Sequence, residues 1–79
     1  MITIEQRKQI ERMAYDAIKA LTGEQVKVKL DYYRNVDAQG DIVKSGTFRV
    51  TTSQSKTYSS FFISINDYSI TSLMPRYKD

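Results

Sequence analysis

Gln25-Val26-Lys27-Val28-Lys29-Leu30-Asp31-Tyr32-Tyr33-Arg34 is the stretch that decides the fold. Apolar residues alternate with charged ones: Val26, Val28 and Leu30 fall on one side, and Lys27, Lys29, Asp31 and Tyr33 on the other. A period of two marks a strand with one face against a core and the other in water. The rest of the chain has to supply something apolar for Val26, Val28 and Leu30 to meet.

Upstream, that partner is a helix. Ile10, Met13, Ala14, Ala17, Ile18 and Leu21 recur at three- and four-residue spacing, so residues 3–22 read as one amphipathic helix with a single apolar stripe. Thr3 and Gln6 have the spacing of a capping box, Glu5 suits the positive end of the helix dipole, and Gly23 stands where a left-handed C-cap belongs. The polar side mixes Arg7, Lys8, Arg12 and Lys19 with Glu5, Glu11 and Asp16, the pattern of a solvated helix face.

Downstream, the pattern stays strand-like. Residues 25–34 form the first strand, 42–52 the second, 57–65 the third and 68–73 the fourth. Asn35–Asp41 reads as a hairpin turn closed by Gly40, Gly46 marks a bulge, and Asn66-Asp67 is a two-residue turn. Pro75 is expected to end the fourth strand, because it cannot donate to a ladder. In the third strand Phe61, Ile63 and Ile65 share the core face, which leaves Phe62 on the opposite one. The expected fold class is α+β: an N-terminal helix packed on one face of a four-stranded antiparallel meander, in one domain spanning residues 1–79.

Composition narrows function mainly by exclusion. The 79 residues include no histidine and no cysteine, so thiolate chemistry, histidine triads, disulfides and most zinc sites are out of reach. No lysine has an acidic residue two positions before it, and the three glycines are too scattered for a phosphate loop. Asn35, Asp37, Gln39 and Gly40 imitate the first half of a calcium loop, but Gly46 stands where the bidentate glutamate is needed. A non-enzymatic domain with no cofactor and no metal is expected. Met1–Gln9 lacks the apolar core of a secretory signal and no apolar run could span a bilayer, which points to a cytoplasmic protein without membrane contact.

With a net charge of +3, the surface suits either an acidic protein or nucleic acid. Alternation places Lys27, Lys29, Tyr33, Arg49, Tyr58 and Phe62 together on the sheet face away from the helix. Aromatic and arginine side chains dominate protein interfaces. The sequence is therefore read as a binding module, a small inhibitor or accessory protein of phage or mobile-element type. It would occlude a protein partner through its sheet face or edge, acting as a monomer or an edge-paired homodimer. Cations beside flat rings also suit single-stranded nucleic acid, which is the alternative.

Overall fold

The computed structural model describes residues 1–79, in the order helix then four strands. Helix α1 spans Ile4–Thr22, and strands β1 (Lys27–Gln39), β2 (Ile42–Ser53), β3 (Tyr58–Asn66) and β4 (Ser69–Tyr77) form one antiparallel sheet in sequential order. This is the α+β arrangement expected. No helix is long and apolar enough to cross a membrane.

The helix begins and ends for local reasons. Thr3 Oγ1 accepts from the Gln6 N–H, and Gln6 Oε1 accepts from the Thr3 N–H, each at 3.0 Å. Gly23 turns left-handed at φ 77° and donates to the Lys19 carbonyl. Ile10, Ala14 and Ile18 are buried against Leu30, Phe48, Val50, Phe61, Ile63 and Ile65, with Val26 and Val43 completing the core. The third strand thus has the register its sequence implies. The stripe is shorter than expected, because Leu21, in the last turn, is 60% exposed.

Helix and sheet are also joined by polar contacts that no pattern of residues announces. Leu30 directs both backbone groups to α1: its N–H donates to Glu11 Oε2 at 2.8 Å, and its carbonyl accepts from Arg7 Nη1 at 2.6 Å. Arg7 and Glu11 form a helical pair at 3.9 Å. These two residues, read from sequence as solvated, instead occupy backbone groups of an edge strand that would otherwise be free to pair with another chain.

Three further differences follow from irregularities in the ladder. β1 does not stop at Arg34; it continues to Gln39 and turns at Gly40-Asp41, with Gly40 at φ 58° in the first central position. On the way, Asn35 and Val36 together oppose Gly46, so Gly46 marks a bulge whose extra residue lies on the partner strand. The last hairpin turns at Asp67-Tyr68, both at positive φ (50° and 71°), one residue later than expected, because Asn66 pairs with Ser69. β4 runs through Pro75 to Tyr77. Proline is tolerated there because β4 is an edge strand with a neighbour on one side only.

At the opposite end, buried Ser55 ties three segments together. Its hydroxyl donates to the Glu24 carboxylate and accepts from the Thr57 and Tyr58 N–H groups, while its carbonyl accepts from Lys78 Nζ.

Candidate interaction surface

The sheet has one face under the helix and one uncovered. What the uncovered face presents depends on a bulge at Asp31. Leu30 pairs with Val50 on the core side, but Arg49 pairs with Tyr32, so Asp31 is the extra residue and the alternation of β1 reverses after it. Asp31 and Tyr32 both turn toward Arg49. Tyr33 comes opposite buried Phe48, on the helix side, where it lines a shallow hollow with Met1 and Gln6.

Of the expected surface residues, Lys27, Lys29, Arg49 and Phe62 lie on the uncovered face, at register positions opposite Ser53, Thr51, Tyr32 and Arg49 respectively. Tyr33 does not join them. Neither does Tyr58: a register shift between Tyr58 and Ser60 leaves its ring against the core, 5.1 Å from the Phe61 ring and 5.2 Å from that of Tyr77.

The residues that do come together form one row across all four strands: Tyr32, Arg49, Phe62 and Met74, each paired with the next. The guanidinium carbon of Arg49 lies 5.8 Å from the Tyr32 ring centre and 5.9 Å from that of Phe62, both within cation–π range. Arg49 Nε donates to Asp31 Oδ1 at 2.9 Å. That hydrogen bond, with the adjacent carboxylate charge, holds the Arg49 pKa above its ordinary value. Only Nε is engaged; the terminal nitrogens of Arg49 have no hydrogen-bond partner in the protein. At the end of the row Met74 is 63% exposed.

On either side of this row the floor is small and hydroxylated. One flanking row reads Lys29, Thr51, Ser60, Arg76, and the other Arg34, Thr47, Ser64, Ser72. The surface is therefore an aromatic–cation–aromatic–thioether ridge between two lower rows, with cations at three of the four outer corners.

Tyr32, Met74 and Arg76 were not legible as site residues. Tyr32 and Tyr33 are adjacent and chemically identical, and only the bulge decides which is outside. Met74 and Arg76 lie in the part of β4 that Pro75 made look like a tail. The acidic residues of the calcium-like segment also read differently in three dimensions. Asn35–Gln39 belongs to β1, Asp41 to its turn, and no three acidic residues cluster anywhere. Comparison with protein-family models, with curated proteins and with solved structures finds no match.

Proposed function

We propose that the chain is a non-enzymatic protein-binding module, a small inhibitor or accessory protein that occludes a partner through its uncovered sheet face. The observation that carries this reading is the Tyr32–Arg49–Phe62–Met74 row. Tyrosine, phenylalanine, methionine and arginine are the types enriched where proteins meet. Here they are contiguous, and Arg49 is held beforehand by Asp31 and the two rings, so its ordering cost on docking is reduced. The salt bridge to Asp31 cancels charge at the centre of the face and fixes the guanidinium plane, leaving donors for a partner carbonyl or carboxylate. Single-stranded nucleic acid is the second reading. It draws on the same cations, but a stacking platform needs free ring faces, and Arg49 already lies against two rings.

Affinity capture from host lysate, nuclease-treated and untreated side by side, with the wild-type chain beside a Tyr32→Ala/Met74→Asp variant, tests the proposal. A protein retained by the first and lost by the second, with both folded by circular dichroism, is the expected result. Equal retention by both removes the sheet face from the proposal, and capture abolished by nuclease favours nucleic acid.

A further inference from the structure

We infer that the occupant of the uncovered face is an acidic peptide segment carrying at least one large apolar side chain, seated along the Tyr32–Met74 row; this rests on the face being a protein-binding surface. Three observations select that occupant.

The first is the charge layout. Lys27, Lys29, Arg34 and Arg76 occupy uncovered-face positions and make no ion pair, for the only salt bridges in the protein are Arg7–Glu11 and Arg49–Asp31. Asp31 is consumed by Arg49, Asp37 lies farther out on the hairpin arm, and Asp79 lines a hollow with Arg76 without forming an ion pair. Lys29 and Arg76 end the same transverse row on β1 and β4, about 14 Å apart at the usual strand spacing. A charge-balanced centre that carries two rings and a thioether, with a cationic rim, is complementary to carboxylates flanking an apolar anchor. The one cation that is interleaved with the rings, Arg49, is already paired with Asp31, which leaves it less available to a phosphate.

The second is size. A strand of nine residues such as β3, in a sheet of four, offers a flat face of roughly 550 Å² at standard strand dimensions. A helix with its side chains is about 10–12 Å across, so a face of this width seats a single segment laid along it.

The third disfavours a second copy of the chain on this face. Two such faces apposed about a two-fold axis would bring four unpaired cations against four others, a like-charge juxtaposition. Edge pairing through the middle of β1 is obstructed as well, because Arg7 and Glu11 occupy the outward backbone groups of Leu30.

The experiment is selection of a random peptide phage library on the immobilised full-length chain, followed by affinity measurement on synthetic versions of the selected peptides. Expected are peptides enriched in Asp and Glu around an aromatic or aliphatic residue. Their affinity should fall about tenfold on Lys29→Glu/Arg76→Glu reversal, weaken as salt rises, and vanish with Met74→Asp. Neutral or basic peptides that are still lost with Met74→Asp overturn the acidic class while leaving the face as a binding surface. Peptides indifferent to all three changes overturn the face itself. Failure to enrich any peptide overturns the segment. In a parallel titration, oligothymidine binding that is lost on Lys29→Glu/Arg76→Glu replaces the acidic peptide with nucleic acid.

Discussion

Gly46 is the position where the backbone tolerates least. Its φ is +154°, a region that residues with a side chain seldom enter. A Cβ built there would lie 2.7 Å from Phe48 Cζ, 3.0 Å from Phe48 Cε2 and 3.3 Å from the Val36 Cα. None of these neighbours yields easily: the Phe48 ring is fully buried, and Val36 sits in the β1 bulge. Overpacking a filled core costs about 1–3 kcal/mol. The unfavourable dihedral adds about 1–3 kcal/mol, so Gly46→Ala should lose on the order of 3–4 kcal/mol. A domain of this length has roughly 4–12 kcal/mol in total, and with a urea slope near 1 kcal/mol/M the unfolding midpoint should drop by about 3 M. Urea titration followed by circular dichroism measures this directly. Gly40→Ala is the control: nothing lies within 4 Å of its Cβ, and only its φ of +58° resists the change. It should cost about 1 kcal/mol. Adding Phe48→Leu to Gly46→Ala removes the ring atoms in the way, so the double variant should be less destabilised than the sum of the singles. A Gly46→Ala midpoint within about 0.5 M of the parent, or equal shifts at both glycines, would refute the steric argument.

Two other substitutions probe the polar joints of the fold. Ser55→Ala strands the Thr57 and Tyr58 N–H groups and one side of Glu24. It should cost about 1–3 kcal/mol by chemical denaturation, with amide exchange accelerating first around residues 54–58. Glu11→Ala leaves the Leu30 N–H without its acceptor; at this part-buried site the loss should be near 1 kcal/mol, and unchanged exchange at Leu30 would count against the edge-sealing role.

Much of this architecture is legible in the residues because the signals are local. Thr3, Gln6 and Gly23 announce the helix ends within a few residues of themselves, and Phe61, Ile63 and Ile65 declare their face by alternation alone. The surface was only half legible, for a physical reason. Its layout past Leu30 depends on one extra residue, Asp31, and the surroundings of that bulge are nonlocal. Arg49, eighteen positions away, binds the Asp31 side chain. Glu11 and Arg7, from the helix, hold the neighbouring Leu30 backbone. Each extra residue reverses the alternation after it, so a correct reading of Val26, Val28 and Leu30 gave the wrong tyrosine at position 33. Tyr58 was misplaced by the same kind of shift. Pro75 misled in a simpler way: the lost donor matters only where a neighbour waits for it, and sequence does not say which strand is the edge.

The proposed docking surface for a partner protein is the row Tyr32, Arg49, Phe62 and Met74. Site-specific photocrosslinking tests it most directly, with benzoylphenylalanine placed at position 74 in one sample and at position 4 in another. Ile4 is 69% exposed, comparable to Met74 at 63%, but lies on the helix, so exposure is matched and only the face differs. A discrete crosslinked protein is expected from position 74 in nuclease-treated lysate and none from position 4. Crosslinks from position 4 alone, or the same product from both, would contradict it.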